Sequence, residues 1–456
     1  MHAESASDLP VHFVRFQTRS SLLAALTAVS LVCLAQTAPD YRAGALGKQE
    51  PQPIYASDPQ DAWNRIFYLL FTRTVELRLA DDFAQGGPLV HVRAMGNDSL
   101  PVTSRTFERI EAGDRAIDPL YPSFLTDKGP RFLVAGPRLA EFKDALDGAL
   151  AEPAPRSPLH RALMQADVWA AHDILAMTAR DNSSLGRRAR ELLPILGQFI
   201  RKLAPTPKEI AALPRNYSAA QASEGLPPVF DESSGWIEVE WIPHRLHDFS
   251  AGYRRAARVF LKPSEDPRKF LAEVNERLRK REDPLPDAPK GLDAVALVTE
   301  DLLVDAGGHV VPSPLTNEVQ LRTFVKDAQG ELKETKIAQY ELSRKLFLAD
   351  PSGGGLRRVQ PQEPAYLPAA GNDYNFASPA LGDETSVLPI LGTLRRRCQS
   401  CHGEGASSVF TFLMIVDPRK PPPLIRQLRP AEDAHASFVA TEKMKRPDFK
   451  SLLVPP

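Results

Sequence analysis

The spacing of hydrophobic positions changes along this chain, and each change marks a different kind of element. From Asp58 to Leu79, Trp63, Ile66, Phe67, Leu70, Thr74 and Leu77 recur at three- and four-residue steps, which predicts a helix. Asp58 supplies a cap, and Pro59 suits the first turn. The same period runs through Pro137–Leu150, Ser157–Ala179 and Ser184–Leu203. The second of these carries an apolar stripe of Met164, Val168, Ala171 and Leu175. Met164, Met177, His160 and His172 on this stretch read as packing and surface residues, because methionine fills cores freely.

After a proline-bearing connection from Pro205 to Pro228 the period drops to two. Trp236-Ile237-Glu238-Val239-Glu240-Trp241-Ile242 alternates as a half-buried strand does. Asp266–Glu282 returns to helical spacing with Phe270, Val274 and Leu278 inward, and Val295–Val298 reads as a buried strand. Glu318–Val325 and Glu331–Gln339 predict a hairpin turning through Lys326–Gly330. Leu89–Arg93 and Arg131–Val134 are shorter strand candidates. His244 and His247 follow Pro243, and a loop or surface role suits them better than ligation.

This order of elements predicts an α+β fold with a helix-rich first half, a mixed α/β middle and a short, mostly helical C-terminal segment. The expected boundaries are a signal peptide over 1–38, a linker over 39–57, a helical domain over 58–215 and an α+β domain over 216–350. A Pro/Gly-rich linker or loop over 351–384 precedes a terminal segment over 385–456.

Composition narrows the function classes. Apolar residues make up 43% of the 456, and the formal net charge is −1, so there is material for a large core and no basic excess to bind nucleic acid. The 42 prolines predict interrupted helices and rigid connections. Charge is uneven: from Leu391 onward lysine and arginine exceed aspartate and glutamate by 11 to 6.

Three cysteines are present. Cys33 lies in a segment that reads as an export signal: Arg15 and Arg19 precede an apolar stretch from Ser20 to Leu34, and small residues allow cleavage after Ala35 or Ala38. Removing that segment leaves Cys398 and Cys401, which stand in Cys398-Gln399-Ser400-Cys401-His402. C-x-x-C-H is the attachment pattern for c-type haem: two thiols add to the porphyrin vinyl groups, and the adjacent imidazole lies under the iron. Two lone cysteines fall into this pattern by chance on the order of one time in ten thousand. A thioredoxin-like C-x-x-C expects a preceding strand and a long following helix, but Leu391-Gly392-Thr393-Leu394-Arg395-Arg396-Arg397 leads in and Gly403 and Gly405 follow. A structural zinc site expects a second ligand pair, and no other C-x-x-C exists.

The pentad within Arg395–Gly405 resembles the haem attachment site of c-type cytochromes. The resemblance implies one covalently attached haem c with its iron, thioethers from Cys398 and Cys401, His402 as proximal ligand, electron transfer, and a periplasmic or otherwise exported location. The tail departs from a small cytochrome c. Pro421-Pro422-Pro423 interrupts it, Ala431–Lys445 is its one helical stretch, and Pro447 leaves no room for a full closing helix. Met444 has the most cytochrome-like separation from His402 and is the candidate distal ligand, with His435 and Met414 as alternatives.

Two functions follow. The first is a single-haem electron carrier whose basic edge steers redox partners with an acidic docking surface. The second is a haem enzyme or small-ligand sensor with an open distal site formed with the upstream residues. Membrane association enters only if the signal segment stays uncleaved.

Overall fold

The computed structural model describes residues 53–79, 90–94, 106–111, 134, 137–153, 155–180, 182–240, 255–280, 282, 291–359, 364–365, 390–393, 424, 426–427 and 434–453. The first helix, α1, is Ala62–Phe71. It ends where β-branched residues begin: β1 (Thr72–Leu79) continues directly from it. The single helix expected over 58–79 is therefore half helix and half strand. Thr72, Thr74 and Val75 favour a pleated surface, and β1 has partners on both sides, β2 (Val90–Ala94) and β3 (Thr106–Glu111).

The three long helices expected next are present: α2 (Pro137–Ala151), α3 (Pro158–Thr178) and α4 (Ser184–Leu203). Ser183 caps α4 by accepting a hydrogen bond from the Gly186 amide at 3.2 Å. Val134 is buried and belongs to no strand. The connection expected over 205–228 holds two short helices, α5 (Pro207–Ala211) and α6 (Asn216–Glu224). Thr206 and Glu209 start α5 with a reciprocal capping box, which satisfies two otherwise orphaned amides.

The mixed region forms β4 (Ile237–Glu240), β5 (Arg255–Pro263), α7 (Pro267–Lys280), β6 (Leu292–Val304), β7 (Val310–Lys326), β8 (Leu332–Leu342), α8 (Arg344–Ala349) and β9 (Leu356–Arg358). Then come β10 (Pro364–Ala365), β11 (Ile390–Thr393), β12 (Arg426–Gln427), α9 (Ala434–Lys445) and α10 (Pro447–Leu453). The expected β7–β8 hairpin turns through Gly330 at φ 82°, a left-handed backbone that glycine adopts without penalty.

Seven strands make an antiparallel sheet in the order β12-β4-β5-β6-β7-β8-β9, and five make a second in the order β10-β11-β2-β1-β3. Alternation gives the large sheet two different faces. Phe260, Ala296, Val298, Val319 and Tyr340 join the helices in one hydrophobic core that runs from Ile54 to Leu452. The boundary expected at 215–216 falls inside this shared core. On the opposite face Val259, Leu261, Leu292 and Phe324 pack beneath Phe270, Leu271, Val274 and Leu278 of α7. Each such side chain contributes about 1.5–3 kcal/mol, and a charge at Val274 would detach the helix.

The Pro/Gly-rich stretch expected from 351 is tied down where it begins. β9 forms an edge of the sheet, and Gly354 (φ 75°) lies directly against α6. A Cβ there would collide with the Asn216 carbonyl oxygen.

Candidate functional site

Cys398, Cys401 and His402 lie outside the described residues, as do Met414, His244 and His247. The described residues nearest the pentad are Ile390–Thr393 before it and Leu424, Arg426 and Gln427 after it. β11 ends at Thr393, shortly before Cys398, and pairs with β2 through Ile390 opposite His91. β12 pairs with β4 through Arg426 opposite Glu240. The described strands that flank the pentad in sequence thus pair with two different sheets, both built mainly from upstream residues.

The C-terminal helices fasten the same tail to the helical layer. Lys443 on α9 is fully buried, donating to Asp173 on α3 at 2.7 Å and to Asp448 on α10 at 2.9 Å. Its ammonium lies 5.4 Å from the Trp169 ring centroid. Arg201 of α4 donates to the Leu452 carbonyl oxygen. Met444 is partly buried against the core. The helix expected over 431–445 is present as α9, and Pro447 separates it from α10. That helix is seven residues long, and proline at its first position fits a helix start.

The stretch expected to be packing and surface behaves so where it is described. Met164 is fully buried in the core. His160 shares a 2.6 Å hydrogen bond with the Ser157 hydroxyl, and burial followed by the Arg156 charge lowers its pKa. His172 is 1% exposed, with Nδ1 3.8 Å from Asp173 Oδ1.

Two features went unsignalled in the hydrophobic pattern. The first is a cleft of about 820 Å³ beside β4, β5 and the start of α7, to which β12 contributes Gln427. Its volume falls within the roughly 300–1,000 Å³ usual for ligand sites. Arg258 on β5 forms its charged floor: Nε and Nη2 donate to Glu238 at 2.9 and 2.7 Å, and Nη1 lies 3.4 Å from Glu300. The guanidinium also stacks 4.7 Å from Phe230. Two carboxylates and an aromatic face hold Arg258 in place, whereas Arg215 and Arg268, also lining the cleft, are exposed. Burial pushes the Tyr217 phenol pKa upward, with Tyr340 adding to it.

The second is a pair of polar assemblies, one buried and one half-buried. Tyr55 donates to Asp167 at 2.8 Å, and Arg344 donates to the other carboxylate oxygen at 2.9 Å. Burial raises the Asp167 pKa, while Arg344 and Tyr55 oppose the rise. On the α7 side of the large sheet, burial and then the facing Glu341 push the Glu318 carboxyl up to about 7. Single charged residues within strands gave no hint that they would meet across the sheet.

Among the described residues no cluster of three or more His, Cys, Asp or Glu side chains could hold a metal ion, and no helix is long and apolar enough to cross a membrane. No protein-family model, no curated protein and no solved structure matches this chain.

Proposed function

We propose that this is an exported c-type haem protein that transfers single electrons through one covalently held haem. The observation that carries the proposal is the pentad Cys398-Gln399-Ser400-Cys401-His402. Its donor set suits haem c: two thiols three residues apart form thioethers, and a neighbouring imidazole ligates the iron. The bound haem supplies a one-electron couple. Cys398 and Cys401 would hold it covalently, and His402 would ligate its iron. Met444, His435 and Met414 are the distal candidates. A thioether there raises the reduction potential, and a second imidazole lowers it.

The anchoring of β11 and β12 supports a haem segment seated on the upstream body rather than a free-standing cytochrome module. An exposed haem face is a large apolar surface, and a body fixed on both sides of the pentad offers something to cover it. The basic excess of the tail suits a redox partner with an acidic docking surface.

The second function, a haem enzyme or small-ligand sensor, draws support from the cleft, because a carrier needs no cavity of that size. Optical spectra in both redox states, repeated under carbon monoxide, separate the two. Low-spin bands unchanged by the gas identify a carrier. A high-spin form that binds it identifies an enzyme or sensor.

A further inference from the structure

The cleft beside β4 and β5 is lined by charges of both signs, and they are not equally engaged. Arg258 is held between Glu238 and Glu300, so these three groups answer one another. Asp266 caps α7: its Oδ1 accepts from the amides of Arg268 and Lys269, each at 3.0 Å. The charges left over are cationic. Arg215 and Arg268 line the cleft and are exposed, and among the described residues neither guanidinium has a hydrogen-bond or ion-pair partner. Arg215 stands immediately before α6 and makes no side-chain capping bond.

The inner wall supplies an independent observation. Thr316 on β7 is fully buried and lines the same cleft, and its Oγ1 has no hydrogen-bond partner. Thr316 stands opposite Glu300 on β6. Cross-strand partners share a face of the sheet, so the Thr316 side chain lies on the face that carries Glu300, Arg258 and Glu238. Its backbone is fixed there: Asn216 donates to the Thr316 carbonyl oxygen at 2.8 Å and accepts from the Thr316 amide at 2.7 Å. A buried hydroxyl without a partner is destabilising, and a ligand group that bonds to it relieves this.

We propose that the cleft binds a small organic dicarboxylate. A guanidinium presents a planar fork that matches a carboxylate through two parallel hydrogen bonds. Arg215 and Arg268 reach the cleft from the starts of two different helices, so each takes one carboxylate, and Thr316 Oγ1 bonds the inner end. Phe230, Trp236 and Phe260 supply the apolar wall for the carbon skeleton. A phosphate would seek the free amides of a helix N-terminus, and Asp266 already occupies those of α7. The proposal concerns the cleft alone and does not rest on the haem.

The test titrates the full chain and its C398A/C401A variant by calorimetry at low salt. The probes are succinate, phthalate, inorganic phosphate and uncharged succinamide. A dicarboxylate should half-saturate one site at about 1 mM or below in both chains, and succinamide should give no heat. R215Q and R268Q should each weaken binding about tenfold with an unchanged far-ultraviolet spectrum. T316V should weaken binding several-fold and keep parental or higher stability in urea, because the hydroxyl it removes has no partner within the chain. No heat from either dicarboxylate up to about 10 mM, binding of phosphate alone, or parental affinity in both arginine variants overturns the proposal. A T316V chain that loses stability and keeps parental affinity overturns it too. Binding that persists in a chain without haem leaves this proposal standing while the haem assignment fails, and a haem-bearing chain that binds no dicarboxylate does the reverse.

Discussion

Lys443 and Asp173 lie 270 positions apart in sequence and 2.7 Å apart in the fold, in a salt bridge sealed from water. Asp448 completes the triad, so the ion pair joins α3 to both helices that follow the pentad segment. Removing one member of a buried pair leaves its partners charged and uncompensated, which costs about 3–5 kcal/mol. K443M should lower unfolding stability in urea by that amount. A loss below about 1 kcal/mol, the ordinary cost at a solvated surface, would show that the triad is not buried.

The Tyr55–Asp167–Arg344 assembly links the residues before α1 to α3 and α8. Y55F removes one hydrogen bond and should cost about 1–3 kcal/mol. A double-mutant cycle on D167N and R344M should give a coupling of about 0.5–3 kcal/mol. Additive effects would place the two groups out of contact.

Glu318 sets a pH dependence whose sign follows from its raised pKa. An unfolded glutamate titrates near 4.5 and the folded one near 7. Between those values the folded state binds more protons, so stability falls as pH rises through this window and stays low above it. The loss is on the order of 3 kcal/mol. E318Q should flatten this decline between pH 5 and 8, measured as urea unfolding free energy. Parallel parental and variant curves would contradict the assignment.

The pairing of β11 with β2 and of β12 with β4 means that a fragment of residues 385–456 loses both strand partners, and with them the Asp173 contact of Lys443. Expressed alone with haem-attachment machinery, it should lack a stable low-spin spectrum and a cooperative thermal transition. A fragment that folds by itself with a normal cytochrome spectrum would refute the seated-segment account.

Elements with a strong period were legible in the sequence. The long helices α2, α3, α4 and α7 and the β7–β8 hairpin announce themselves through apolar spacing and a turn glycine. The switch from α1 to β1 was not legible, because Leu70, Thr74 and Leu77 fit a helical stripe, while tertiary pairing with β2 and β3 decides the strand. β5 was missed because Arg255–Pro263 is buried on both faces in places, and a strand buried on both sides loses the alternation that identifies it. The pentad is legible from spacing alone. The cleft around Arg258 is not, since Glu300 and Gln427 join it from far along the chain from Phe230, Trp236 and Glu238.

The haem assignment is tested most directly by intact-mass measurement and a pyridine haemochrome spectrum of the full chain, expressed for export with haem-attachment machinery. One haem should be covalently retained after acid–organic extraction, and a C398A/C401A variant should retain none. A chain that carries no haemochrome, with both Cys398 and Cys401 open to alkylation, would contradict the account.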